Sequence, residues 1–277
     1  MISATSHSKA SGRRGFSLVE ILVVIGIIVV LAGILLPSLI RAYSQADKTR
    51  AKYDLQAIGV AIEAYRSDFG DIPRTYGNNK GAHALCRALF GPGPAADVTA
   101  GDQQGDGADG LGFRVRAGGG KVWGPYLQSD RLNVDDDATA GNTIASYANV
   151  GIFTKDNTPI LYYPAAVNKP NVTAPGGYVG TSSTGCLYNA NDNLMVNTVT
   201  GMTQFNLEGL LGDYSCNGMI DSTNGTETAI GTFPYLLISA GPDGVFGPGI
   251  TVAGSNPGQW NTNRQAVVNC DDVANFR

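Results

Sequence analysis

The sequence predicts an α+β protein: a long N-terminal helix, membrane-spanning in its first half and amphipathic in its second, packed on a small antiparallel β-sheet head with large loops. Three observations predict it. Every residue from Ile21 to Leu36 is apolar. Apolar residues then recur at steps of three and four over Leu55, Ile58, Ile62, Tyr65 and Phe69, the stripe of an amphipathic helix. From Tyr76 onward short apolar runs alternate with Gly-, Pro- and Asp-rich stretches, as in short strands joined by long turns.

Composition narrows the function classes. Of 277 residues only 15% are charged, and 37 are Gly, yet 43% are hydrophobic. That balance excludes a disordered chain, a coiled-coil rod and a strongly basic nucleic-acid binder. The charge is also unevenly spread. Residues 1–75 carry nine Lys/Arg and six Asp/Glu, whereas residues 76–277 carry ten and seventeen.

Residues 1–15 are Ser-rich and hold Lys9, Arg13 and Arg14 without an acid. Positive charge ahead of an apolar run places the N-terminus in the cytoplasm and sends the remainder across the membrane. Residues 16–36, as a helix, span about 31 Å at roughly 1.5 Å per residue, against a hydrocarbon core of about 30 Å. A plain single-span anchor has these properties, and so does a secretory signal peptide, for which Val30-Leu31-Ala32 offers a weak small-residue cleavage site. Glu20 fits neither reading. A carboxylate inside an apolar span costs on the order of a few kcal/mol near the bilayer centre, less at the interface, and demands a partner. A cut after Gly15 would create an α-amino group on Phe16, one helical turn from Glu20; in a staggered assembly the carboxylate would meet a neighbour's amine.

Arg14-Gly15-Phe16-Ser17-Leu18-Val19-Glu20, followed by the apolar run, resembles the type III signal of type IV pilins and type II secretion pseudopilins. The resemblance implies cleavage by a prepilin peptidase between Gly15 and Phe16, N-methylation of Phe16, and Glu20 as the assembly carboxylate. It implies that the apolar helix forms a filament core. Removal of the +3 leader leaves a mature chain of formal charge −7 rather than −4. Pro37 stands where members of the family interrupt this helix, and proline removes a helical donor and kinks the chain.

The chain then divides into a stalk helix, residues 37–70, and a head, residues 71–277. Lys48, Arg50, Lys52, Asp54, Glu63, Arg66 and Asp68 supply the stalk's solvated face, and Gly70 with Pro73 stops it. Leu55 to Pro73 resembles the major pseudopilin of type II secretion, with Ile72 in place of the usual aromatic before the proline. Gly124-Pro125-Tyr126-Leu127 and Tyr162-Tyr163 resemble landmarks of that family's head. Within the head, residues 82–90 are expected as a short helix and 91–120 as an exposed loop. Strands are expected over 160–163, 177–179, 233–239 and 265–269.

Two head segments have the makings of a calcium site. Major pseudopilins carry a Ser-x-Gly-x-Asp-Gly turn followed by clustered acids that hold Ca²⁺. The resemblance assigns Ser239, Asp243, Asp271 and Asp272 to that role, although about 27 residues separate the turn from the acid pair. Independently, Asp213, Ser215, Asn217, Asp221 and Asn224 occupy positions 1, 3, 5, 9 and 12 of a twelve-residue loop with Gly218 at position 6. That is EF-hand spacing, most similar to the dockerin variant, but no clear helix follows and Asn224 replaces a carboxylate. Asp102, Asp106 and Asp109 fit no single loop.

Cys86, Cys186, Cys216 and Cys270 all fall in the head. On the oxidising side of a membrane they allow two disulfides in three pairings, or remain buried thiols. The absence of a Cys-x-x-Cys pair argues against zinc and redox catalysis. With His7 in the leader, the mature chain holds a single histidine, His83, and no Ser/His/Asp set assembles around it, so no enzyme is expected.

The expected protein is thus a structural filament subunit of a type II secretion pseudopilus that drives protein export. Its implied partners are the prepilin peptidase, copies of itself and other pseudopilins, and the inner-membrane assembly platform, with no nucleic acid. It is expected as a single-pass inner-membrane protein with a periplasmic head. The alternative is a pilin-like surface filament subunit with a calcium-stabilised adhesive head.

Overall fold

The computed structural model describes residues 17–75, 81–90, 121, 123–127, 132–135, 151–154, 158–168, 170–181, 185–193, 204–221, 227–247 and 270–276. Residues up to Ala46 and residues from Asp47 onward make two separate compact units.

Helix α1, Leu18–Phe69, contributes to both units and carries Pro37 inside it. The expected interruption at Pro37 is therefore absent: the helix runs through it. Pro37 leaves one carbonyl of the preceding turn without its usual N–H, and the Ser38 hydroxyl donates to Leu35 O at 2.7 Å. In the first unit the whole apolar run is exposed, from Leu18 to Ile40.

In the second unit the expected stripe is buried where it matters. Leu55, Ile58 and Ile62 are buried, and Tyr65 packs at the edge of the same cluster. Gly70 ends the helix in the left-handed region, at φ 81°, with its N–H donating to Arg66 O at 2.7 Å. A residue with a Cβ is disfavoured there, which is why glycine is the usual helix stop. The Tyr162 hydroxyl then holds the exit by donating to Pro73 O at 2.8 Å.

The head contains α2, Gly81–Phe90, and the strand pair β1, Asn133–Asp135, and β2, Gly151–Phe153. Next come β3, Ile160–Pro164, β4, Val179–Gly180, and β5, Tyr188–Asn189. A 3-10 turn, Ala190–Asn193, precedes α3, Gln204–Leu211. β6, Tyr235–Ser239, and β7, Val273–Ala274, complete it. The central sheet has the order β3-β6-β7 and is antiparallel, with Ile160 opposite Ser239 and Ile238 opposite Ala274. β1 and β2 also pair antiparallel, whereas β4 and β5 pair parallel.

Strand residues alternate between two cores. Ile160, Tyr162, Tyr235 and Leu237 join α1 and α2 in the first. Leu161, Tyr163, Leu236 and Ile238 face the other way, onto Tyr178, Tyr188, Leu207, Leu211 and Phe246. The sheet is thus covered on both faces, which explains why its strands read as continuous apolar runs. Asn193 seals the outer edge of β3. Its Oδ1 accepts from Ala82 N (2.8 Å) and Tyr162 N (3.3 Å), and its Nδ2 donates to Tyr162 O (3.0 Å).

Several expectations are met with shifted bounds, among them α2 and strands β3, β4 and β6. The last strand is Val273–Ala274; the expected strand at 265–269 lies outside the described residues, as does the expected loop at 91–120. Unexpected are α3, the 3-10 turn and the β1–β2 pair. The landmark Tyr126 ties two helices together: its hydroxyl donates to Asp68 (2.8 Å) and its N–H to Leu89 O (2.8 Å).

Candidate processing and assembly site

Gly15 and Phe16, the expected cleavage pair, lie outside the described residues. Ser17 to Glu20 are described and form a capping box. The Val19 N–H donates to the Ser17 hydroxyl at 3.2 Å, and the Ser17 N–H donates to Glu20 Oε2 at 2.9 Å. Two donors that the first helical turn leaves without backbone partners are thereby satisfied. Glu20 is exposed on the helix, its carboxylate turned back toward the N-terminus, the end that favours negative charge. The sequence signal for this cap, Ser followed three residues later by Glu, was legible but obscured by the membrane argument.

Behind Glu20 the exposed apolar side chains surround the helix, including Val23, Ile27, Val30, Ile34 and Leu36. By length and composition, α1 is apolar enough to cross a membrane. An apolar surface of this extent is stable only in lipid or against other apolar helices.

The head sites differ from one another. In the Asp243 turn, residues distant in sequence do converge. The Asp243 N–H donates to Asp271 Oδ2 (3.3 Å), the Val245 N–H to Asp243 Oδ1 (2.9 Å), and the Gly247 N–H to Asp272 Oδ2 (2.7 Å). Ser239 is buried at the end of β6, opposite Val273. Gly241 permits the approach, since a Cβ there would fall 2.4 Å from the Asp271 carboxylate. A cavity of about 80 Å³ beside the turn is lined by Asp47, Arg50, Asp54, Thr154, Ser239 and Gly241, among others.

The Asp213 loop follows α3. Asp213 Oδ1 accepts from Cys216 N (2.8 Å) and the Ser215 hydroxyl (3.2 Å), while Oδ2 accepts from Gly218 N (2.8 Å). Gly218 adopts φ 73°. Asn217 Nδ2 donates to Asp221 Oδ2 at 3.2 Å. Asn224 lies outside the described residues. The acid that closes the described part of the loop is Glu227, missed in the spacing argument because it falls beyond position 12. It accepts from Ser215 N (2.7 Å) and Asp221 N (3.2 Å). Burial and then the Glu227 charge push the Asp213 carboxyl up to about 6, against its three donors. Among the described residues, no three His, Cys, Asp or Glu side chains group closely enough to hold a metal ion. The oxygens named here instead accept from backbone N–H groups and, in the Asp213 loop, also from the Ser215 and Asn217 side chains. Asp102, Asp106 and Asp109 lie outside the described residues.

Cys86 is buried in the first core and His83 beside it on α2 is also buried. Cys186 is buried next to Gly180 of β4. Cys216 is buried with Leu210, and Cys270 packs against that cluster. Two surface cavities, of about 440 and 490 Å³, adjoin Arg74. Arg74 itself is committed: it pairs with both oxygens of Asp71 (2.8 and 2.9 Å) and donates to Ala165 O. That pair holds the Asp71 carboxyl below its usual value.

Comparison with known proteins gives these features a context. Residues 10–36 match the prokaryotic N-terminal methylation motif. The chain is 40% identical over 85 residues to type II secretion system core protein G of Escherichia coli strain K12, covering 31% of this chain and 57% of that protein. The same-named protein of Klebsiella pneumoniae is 38% identical over 76 residues, 27% of this chain and 52% of the relative. For Vibrio cholerae the figures are 31% over 86 residues, 31% of this chain and 57% of the relative. The chain thus spans about half the length of the curated relatives it matches. No solved structure matches it. The chain carries the N-terminal methylation motif and is homologous, over roughly a third of its length, to type II secretion system core protein G.

Proposed function

We infer that this chain is a structural filament subunit, cut between Gly15 and Phe16 by a prepilin peptidase, methylated on Phe16, and assembled into a type II secretion pseudopilus that drives protein export. The observation that carries the reading is the methylation motif at residues 10–36 running into a helix whose apolar side chains are exposed all round. A head-anchoring helix needs one buried face; α1 has that only from Ala51 onward. The run from Leu18 to Ile40 has chemistry suited to lipid before assembly and to sister helices after it. In this reading the chain sits in the inner membrane with a cytoplasmic leader and a periplasmic head. Its partners are copies of itself, other pseudopilins and the assembly platform, and it has no enzymatic role. N-terminal sequencing of the mature protein tests it: Phe16 is expected first, carrying an N-methyl group. A start after Ala32 instead makes the segment a removable signal peptide.

A second reading, a surface filament with a calcium-stabilised adhesive head, draws on size. If 85 residues make 57% of the E. coli relative, that protein is about 150 residues long, against 277 here. Immunogold labelling of intact cells separates the two: label on surface filaments supports this reading and its confinement to the periplasm supports the first.

We propose calcium in either reading at Ser239, Asp243, Asp271 and Asp272, whose hard oxygen donors suit that ion, although the three carboxylates do not group in this structure and would have to turn from the N–H groups they cap. Support comes from the Asp243 N–H donating to Asp271 Oδ2, which brings the acid pair to the turn across the intervening sequence. Calcium at about 100 times its Kd is expected to stabilise the head by about 2.7 kcal/mol, raising Tm by about 5–10 °C. Asp243→Asn should abolish the rise. An unchanged Tm in the native sequence would remove calcium from the reading.

A further inference from the structure

The fate of the four cysteines is decided by where the fold puts them. Cys86 lies on α2 within the core formed with α1. Cys186 lies just before β5, packed against Gly180. Cys216, in the turn after α3, is buried with Leu210, and the half-buried Cys270 packs on the same small cluster with Phe205 and Tyr214. Of the three pairings that four cysteines allow, the fold favours the one containing this juxtaposition. Cys216 also has φ 56°, a left-handed conformation uncommon for a residue with a Cβ. That conformation belongs to the turn whose N–H groups Asp213 accepts.

We propose that Cys216 and Cys270 are a disulfide-forming pair, a bond that staples the Asp213 loop to the segment entering β7, while Cys86 and Cys186 stay as buried thiols. The chemistry is thiol–disulfide exchange with a small-molecule or protein disulfide as oxidant. Cys270, the more accessible of the two, attacks as its thiolate and forms a mixed disulfide, releasing one thiolate of the oxidant. Cys216, deprotonated, then attacks the Cys270 sulfur and releases the second. Two protein thiols are oxidised, one oxidant disulfide is reduced to two thiols, and no other reagent is required. Before oxidation the Cys216 thiol hydrogen-bonds Glu208; the bond is given up when the sulfur is joined to Cys270.

The staple has a structural consequence. Cys270 immediately precedes Asp271 and Asp272, which accept from Asp243 N and Gly247 N. β7 pairs with β6 through only two residue positions, too few to hold a strand firmly by themselves. A crosslink closing the long loop between residues 216 and 270 restricts the unfolded chain and holds this short strand against the sheet. Only the source of oxidant in cells rests on the proposed export of the head.

The test uses the full chain, purified in detergent, treated with oxidised glutathione, alkylated and mapped by mass spectrometry without reduction. A peptide pair joined through Cys216 and Cys270 is expected, with Cys86 and Cys186 alkylated and Tm several degrees above that of the reduced chain. The Cys86→Ser/Cys186→Ser double variant should give the same crosslink. Alkylation of both Cys216 and Cys270 after oxidation, or predominant joining of either to Cys86 or Cys186, overturns the proposal. Cells quenched with alkylating agent supply the second arm. A crosslink formed by glutathione disulfide but absent from cells upholds the pairing and counts against export of the head, so the two readings fail separately.

Discussion

Glu20 performs two jobs that ordinary substitution confounds. It closes the capping box with Ser17, a local role worth about 1 kcal/mol, and in the proposed filament its charge meets a neighbour's Phe16 amine. Alanine removes both. Glutamine keeps an oxygen able to accept the Ser17 N–H but removes the charge. Ser17→Ala removes the other half of the cap and keeps the charge. If pairing dominates, Glu20→Gln and Glu20→Ala should both lose filament assembly in a shearing assay, while Ser17→Ala assembles. Recovery of assembly in Glu20→Gln would reduce Glu20 to a helix cap. This residue was legible in the sequence because a lone carboxylate in an apolar run has few explanations. Glu227 was not, because nothing in the local spacing indicates that it turns back to accept from Ser215 and Asp221.

At the scale of elements, the second-unit portion of α1 presents two apolar faces with opposite fates. Leu55, Ile58 and Ile62 enter the core; Tyr53 and Val60 are 61% and 72% exposed, and Ala57 and Ala64 continue their line at steps of four, three and four. Such spacing makes one stripe along a helix. Ile58→Ala should cost about 2–5 kcal/mol of folding stability and lower Tm by several degrees. A Tyr53→Ser/Val60→Ser double variant should move stability by no more than about 1 kcal/mol, yet shorten or abolish filaments if the stripe meets a sister subunit. Normal filaments in that variant would free the stripe from assembly. The buried face was legible because helical periodicity is local. The second core was not. Strands covered on both faces lose their alternation, and the elements that cover the far face of β3 and β6, α3 and the β4–β5 pair, are too short to announce themselves. α3 has eight residues, and β4 and β5 have two each.

Across the head as a whole, buried acids set how stability responds to pH. Glu208 is fully buried on α3. Burial, and then the charge of Asp213, push its carboxyl up to about 8, against hydrogen bonds from Gln204 and Cys216 that pull it down. Asp213 rises to about 6 for kindred reasons. Both groups therefore keep protons in the folded state that the unfolded chain has released. Where the folded state binds more protons, stability falls as pH rises. The Asp213 contribution is lost between its ordinary value of 3.8 and about 6; the Glu208 contribution is lost between 4.5 and about 8. Asp71, held low by Arg74, acts in the opposite sense, but only as pH drops below its ordinary value. From pH 6 to 8 the slope thus belongs chiefly to Glu208. Tm should fall across that interval by about 4–8 °C, the equivalent of about 2 kcal/mol for a domain of this size. Glu208→Gln should flatten the interval while leaving the Asp213 slope below pH 6 in place. A native protein whose Tm is level from pH 6 to 8 would mean that Glu208 is ionised within the fold. In that state its carboxylate would hold the Cys216 proton more tightly and slow that residue's thiol exchange.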